Sequence, residues 1–335
     1  MKTQIITALL ASGLVASGHE GHEHPPAGKV ATSVQKTGNG QFVFETVPGF
    51  GAMPDGVNVG PTHGGVAVDG AGDIYVSTEA DHGVVKFSAD GSFKAGFGPT
   101  TKALHSLAIV KEGEKEVLVG AAVSAQKVLK LSLDGQILME IPNDVTGEIE
   151  GGFNGVTGVA VGPEGNFYVV CGYGSNLVHK FDAKGKLLKT AGGRGTEDGK
   201  FMTCHGIALD TRSGEPLLLV CDRENRRLVH LDLDLNFKGV HSEYLRRPCA
   251  ASILGDHVAV AELEGRVTIV GKNGEHLAFL GDQPDRKLWA KKPVPENELY
   301  DGLFTAPHGL SWDADGNIIV QDWNVTGRVT KLKRR

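Results

Sequence analysis

Short apolar runs, four to eight residues long and rich in Val, Ile and Leu, recur along most of the chain in sets of three. The first set is 62–69, 72–77 and 83–87, and the second is 104–110, 116–120 and 127–131. Four more follow, opening at 156–161, 204–210, 248–253 and 307–313. Asp/Gly or Asn/Gly turn signals separate the runs, the punctuation of β-hairpins rather than of helices. The corresponding opening positions are 63, 105, 157, 205, 249 and 308. Repeats of roughly 40–50 residues built from short strands are the mark of propeller blades. The expected fold is therefore all-β, a single six-bladed β-propeller over 41–335. The last unit stops after its third run, at Leu332, and the alternating stretch 41–47 is a spare strand that closes the ring.

The chain begins with a different pattern. Lys2, an apolar run over 5–16 and then Ala16, Ser17 and Gly18 have the order of a secretory signal peptide, assigned to 1–18. A secreted or periplasmic location follows from it. Residues 19–40 read as a flexible arm carrying His19, His22 and His24, which is either a weak Zn or Cu binder or a solvated linker. Composition narrows the partners. With 34 Lys+Arg against 40 Asp+Glu the net charge is −6, so no basic surplus draws nucleic acid or an anionic membrane. A monomer with a small-molecule or peptide substrate in its central channel is the expectation.

The innermost strand of each blade lines that channel, so its opening residue projects towards the axis. These residues are His63, His105, Thr157, His205, Cys249 and His308. His105, His205 and His308 come from alternate units, about a third of a turn apart. Three protein nitrogens with an open fourth position form a catalytic Zn²⁺ pattern. The competing reading is that blade-start histidines only pack the channel. His63 and Cys249 are further channel candidates, as added ligands or as filling. Tyr173 and Arg223 fall in the loops after the second run of units three and four, facing the same channel end. A guanidinium and a dication beside a phenol both favour its ionised form. The alternative gives Arg223 to an Asp222 salt bridge and leaves Tyr173 as a stacked surface ring.

The repeated pattern resembles NHL repeats, and over 62–332 the chain is most similar to peptidyl-α-hydroxyglycine α-amidating lyases. That family's Zn²⁺ histidines lie in motifs like 104–107, 204–207 and 307–310 here. Its catalytic Tyr and Arg lie in motifs like 171–176 and 221–227. The resemblance implies Zn²⁺ on His105, His205 and His308, Tyr173 as base, Arg223 as its partner, and cleavage of the C–N bond of an α-hydroxyamide. Two positions depart. Glu79 stands where the family has an Arg for the substrate carboxylate, and Gly309 stands where it has an Asp ligand to a structural Ca²⁺. A carbonyl such as that of Leu107 remains for Ca²⁺. The alternative function is a non-catalytic NHL propeller that presents loops to a protein or glycan. A lactonase-type propeller ranks below both, because it calls for acidic metal ligands.

Three smaller features complete the reading. Export permits disulfides, and Cys171 and Cys221 occupy nearly matching loops as the candidate pair, while Cys249 can equally be a buried thiol. Asn324–Thr326 fits a glycosylation sequon. The insert 282–301, with Arg286, Trp289, Lys291 and Lys292, either overhangs the channel mouth with positive charge or is a long surface loop.

Overall fold

The computed structural model describes residues 25–55, 57–142 and 153–335. The leader expected at 1–18 and His19, His22 and His24 of the expected arm lie outside them. A hairpin of β1 (Lys36–Asn39) and β2 (Phe42–Thr46) precedes the blades. Blade one is β3 (Val66–Val68), β4 (Ile74–Ser77), β5 (Val84–Phe87) and β6 (Phe93–Gly96). Blade two is β7 (Leu104–Glu112), β8 (Lys115–Ala122), β9 (Lys127–Leu131) and β10 (Ile137–Ile141). Blade three is β11 (Gly158–Val161), β12 (Phe167–Val170), β13 (Leu177–Phe181) and β14 (Leu187–Gly192). Blade four is β15 (Cys204–Asp210), β16 (Leu217–Asp222), β17 (Arg227–Leu231) and β18 (Phe237–Ser242). Blade five is β19 (Pro248–Leu254), β20 (His257–Glu262), β21 (Arg266–Val270) and β22 (His276–Leu280). Blade six is β23 (Pro307–Trp312), β24 (Ile318–Asp322) and β25 (Arg328–Arg334), completed by the N-terminal hairpin.

All pairings within blades are antiparallel, and each innermost strand touches the next, with β23 returning to β3. The ring closes as expected: β2 pairs with β25, Phe44 opposite Arg334 and Thr46 opposite Leu332. β1 then adds a fifth strand that the sequence pattern did not suggest.

Why the second runs are so uniformly apolar is clear from the packing. β4, β12 and β24 are buried on both faces, because each blade is covered by a neighbour on either side. Val117, Val119 and Ala121 of blade two meet Val159, Phe167 and Val169 of blade three in one cluster. The outer strands alternate instead, as β6 and β18 do, with one side in water. Hairpins within the blades turn on Asp side chains. Asp69 Oδ1 accepts from the amides of Ala71 at 3.0 Å and Asp73 at 2.8 Å, and Asp182, Asp232 and Asp313 repeat the device.

Several expectations need correction. The arm expected to be free to residue 40 is bound from its first described residues. Gly28 donates to the Leu299 carbonyl at 2.9 Å, and Asp301 Oδ2 accepts from the amides of Thr32 and Ser33, both at 2.9 Å. The insert 282–301 thus supplies an anchor for the N-terminal segment. Cys171, Cys204, Cys221 and Cys249 are all free and buried. Cys171 packs between blades two and three and Cys221 between blades four and five, so the sheets of blades three and four separate the candidate pair. Asn324 is fully buried, with its amide nitrogen on the Val294 carbonyl at 3.5 Å, which removes it as a glycosylation site. No helix among the described residues is long and apolar enough to cross a membrane.

Candidate metal centre

Four of the six inner strands slip register in their first residues. The slips fall between Leu104 and Ser106, Cys204 and Ile207, Pro248 and Ala250, and Pro307 and Gly309. His105, His205, Cys249 and His308 are the residues left unpaired at these points. A bulge turns a side chain out of the pleat, here towards the propeller axis.

The three predicted histidines converge. Their ring centroids lie 4.7 Å (His105 and His205), 4.8 Å (His105 and His308) and 4.6 Å (His205 and His308) apart, and all three are buried. His105 donates its Nδ1 hydrogen to the Thr157 carbonyl at 2.7 Å, and His205 donates its own to the Cys249 carbonyl at 2.8 Å. Each bond spans to the next blade and fixes the tautomer, leaving Nε2 as a lone pair aimed at the axis. His308 Nδ1 is buried without a partner. Burial holds His105 down at about 3 and His205 and His308 well below the usual imidazole range, so all three are neutral at pH 7.

Tyr173 stands over the convergence point. Its hydroxyl lies 2.9 Å from His205 Nε2, 3.1 Å from His105 Nε2, 3.3 Å from His63 Nε2 and 3.5 Å from His308 Nε2. The loop that carries it is pressed against residues 154–155. A Cβ on Gly155, whose φ is 69°, would meet the Gly174 amide nitrogen at 2.2 Å. The Tyr173 amide donates to the Gly155 carbonyl at 3.0 Å. Burial pushes the phenol up to about 12, and the Arg223 charge works against that rise.

Arg223 reaches the same hydroxyl with Nη1 at 3.4 Å. Its Nε donates to Glu224 Oε1 at 2.9 Å, and Arg247 Nη2 grips that carboxylate at 2.7 Å. Asp222 does not pair with Arg223; it accepts from Arg227 Nε at 2.8 Å and the Met202 amide at 2.8 Å. Of the other opening residues, Thr157 is structural: its hydroxyl donates to the Cys204 carbonyl at 2.9 Å. Cys249 Sγ lies within 4.8 Å of nitrogens of His205 and His308, and burial raises the thiol to about 11, which keeps it protonated. His63 belongs to the cluster, its nitrogen within 4.8 Å of those of His105 and His308.

Sequence reasoning missed Trp323, and it named Glu79 and Lys292 at the channel mouth without their partners. Trp323 stacks on His63 with centroids 4.8 Å apart at 26°. Lys292 of the insert sits 4.6 Å from the Trp323 ring centroid. Glu79 Oε1 lies 3.3 Å from His63 Nδ1. Glu79, Tyr173, Arg223 and Trp323 all follow the second strand of their blades, so this one loop position, compared across blades, is the signal that finds Trp323.

On the other side of the imidazoles the inner strands enclose a channel of about 540 Å³, lined by Gly64, Leu107, Ala160, Ala208, Ser252 and Leu310 among others. Among the described residues, no Asp or Glu lines it. Gly309 is required there, because a Cβ at that position would meet the Gly64 carbonyl oxygen at 1.9 Å. A Ca²⁺ ion needs several hard oxygen ligands, and among the described channel residues no carboxylate joins the Leu107 carbonyl.

No protein-family model matches the chain, and no curated protein matches it by sequence. Solved structures match it in shape. A streptogramin B lyase is 14% identical with a TM-score of 0.57, over 90% of this chain and 98% of its own. Virginiamycin B lyase from Staphylococcus aureus is 15% identical with a TM-score of 0.55, over 90% and 99%. A gluconolactonase from Xanthomonas campestris is 11% identical with a TM-score of 0.62, over 94% and 99%. The chain shares their propeller. At these identities the likeness carries the fold alone, and of these three propellers two are lyases and one is a lactonase.

Proposed function

We propose that this propeller is a metal-dependent carbon–nitrogen lyase, acting on an α-hydroxyamide outside the cytoplasm, on a small-molecule or peptide substrate. The observation that carries this reading is one hydroxyl, that of Tyr173, within 3.5 Å of four imidazole nitrogens and one guanidinium. The donor set suits Zn²⁺ or another late first-row dication, since the imidazoles are neutral and His105 and His205 are held in the ligating tautomer. A loop-presenting scaffold has no use for buried, uncharged imidazoles gathered around one phenol.

His105, His205 and His308 would hold the metal. When bound, it supplies Lewis acidity towards a substrate hydroxyl and positive charge beside the phenol. Tyr173 takes the proton from the carbinol hydroxyl as general base. Arg223, aimed by Glu224, holds the phenolate. As the hydroxyl oxygen becomes the aldehyde, the C–N bond breaks and the electron pair goes to nitrogen. Tyr173 returns the same proton to that nitrogen, so an amide and glyoxylate leave and the site is restored. Incubating metal-loaded protein with α-hydroxyhippurate tests this. Glyoxylate release lost in His105→Ala is expected, and no release by fully loaded protein sinks the reading.

A further inference from the structure

We infer that His63 is a fourth nitrogen ligand of the centre and that Glu79 is the positioning residue that turns it towards the metal. The inference rests on the metal-centre reading above and deepens it. His63 opens blade one as the other histidines open theirs. Its Nε2 is 3.3 Å from the Tyr173 hydroxyl, and its ring centroid is 4.8 Å from that of His105 and 4.6 Å from that of His308.

What differs is the partner of Nδ1. His105 and His205 face a backbone carbonyl of the following blade, whereas His63 Nδ1 faces the Glu79 carboxylate at 3.3 Å. A carboxylate on Nδ1–H fixes the tautomer that leaves Nε2 free, and it makes that nitrogen a better donor than a carbonyl partner does. Trp323, stacked at 26°, covers one ring face and keeps the imidazole from swinging aside. Glu79 makes its closest contact with His63, and Lys292 and Lys102 add positive charge that offsets part of its own. The departure at Glu79 therefore has a physical role. The position that would otherwise greet a substrate anion has been given over to the metal's outer shell. A centre with four imidazoles keeps room for substrate only with a metal that expands beyond four ligands.

The test uses the full chain with His19→Ala, His22→Ala and His24→Ala, which silences the terminal arm. One equivalent of Cu²⁺ should give an electron paramagnetic resonance spectrum with four-nitrogen superhyperfine structure, falling to three nitrogens in His63→Ala. In chelator competition, Glu79→Gln should weaken Zn²⁺ binding by about 10–100-fold, the usual cost of losing a carboxylate behind a ligating His. Unchanged melting of the metal-free Glu79→Gln protein separates this from a folding defect. A three-nitrogen spectrum in the parent, with Zn²⁺ affinity in both variants within about twofold of it, overturns the fourth ligand and leaves the three-histidine centre standing. Absence of any stoichiometric metal in the parent overturns both.

Discussion

The Arg223 guanidinium approaches Tyr173 twice, with Nη1 at 3.4 Å from the hydroxyl and Cζ at 5.4 Å from the ring centroid. Both contacts favour the phenolate over the phenol. A base must be deprotonated to act, so the rate rises with pH until the phenol has ionised. Removing Arg223 takes away a charge that holds this ionisation down, and the rising limb moves to higher pH. Arg223→Gln should therefore show a kcat/KM profile for glyoxylate release displaced towards alkali. Tyr173→Phe should lose about 10²–10⁴-fold at every pH, the range of a general base. An Arg223→Gln profile that is lower but unshifted would mean that Arg223 only binds substrate.

His179 gives the protein an acid sensitivity separate from the imidazole cluster. It is fully buried beside Phe153 and Phe181, with Nδ1 on the Thr190 hydroxyl at 2.9 Å and Nε2 without a partner. Burial lowers its pKa from 6.5 to about 4. Between those values the unfolded chain takes up a proton that the native state refuses, so stability falls as pH drops from about 6.5 towards 4 and then levels off. The full size is about 3–4 kcal/mol, at 1.36 kcal/mol per pKa unit. Urea midpoints of wild type and His179→Leu at pH 7.5 and 5.0 should show the smaller drop in the variant. Equal drops would place the acid sensitivity elsewhere.

The blade count, the closing strand and the converging histidines were legible because each rests on a local, repeated signal. An apolar run flanked by Asp/Gly turns means a strand wherever it occurs, and six copies leave only one architecture. The opening histidines were legible because the repeat register itself assigns them to the axis. β1 was not, since Lys36–Asn39 carries no apolar face and pairs only because β2 has already been fixed against β25. The role of Glu79 was out of reach for a related reason. A carboxylate in that loop reads as a repellent for anions until its distance to His63 Nδ1 is known, and that distance depends on how two loops of one blade fold over each other. The separation of Cys171 from Cys221 likewise follows from which inter-blade layer each side chain enters, a property of packing rather than of spacing.

Blade six holds an ion pair removed from water, and its arginine also ties the blade to the insert. Arg328 Nη1 faces Asp322 Oδ2 at 3.5 Å, both residues are about 1% exposed, and the same guanidinium donates to the carbonyls of Leu303 at 2.9 Å and Tyr300 at 2.6 Å. Burial pushes the Asp322 carboxyl up and the Arg328 guanidinium down, so desolvation outweighs their mutual attraction. Such a pair adds little net stability as a unit, yet breaking it strands one charge. Arg328→Met should cost about 3–5 kcal/mol in equilibrium unfolding. Adding Asp322→Asn should recover part of that loss, because the stranded carboxylate is gone. A double variant less stable than Arg328→Met would show that the Asp322 contacts to the amides of Thr305 and Ala306 matter more than the charge.

Lys292 is the cation that the insert delivers to the mouth of the centre, held over Trp323 at 4.6 Å and acting on Glu79. Two other positive side chains of that insert are engaged elsewhere: Lys291 pairs with Glu298 at 3.0 Å, and Arg286 lies over Trp289 at 5.1 Å. With Arg223 bound to Glu224 and to the phenol, Lys292 is the group expected to meet the carboxylate of the proposed substrate. A charge-assisted hydrogen bond contributes about 1.5 kcal/mol or more, which is about tenfold in affinity. Lys292→Ala should therefore raise KM for α-hydroxyhippurate about tenfold while leaving kcat nearly unchanged. The uncharged methyl ester of the same compound should be handled alike by wild type and variant. An equal rise in KM for acid and ester would show that Lys292 only props Trp323 against His63, and that the carboxylate is met by another group.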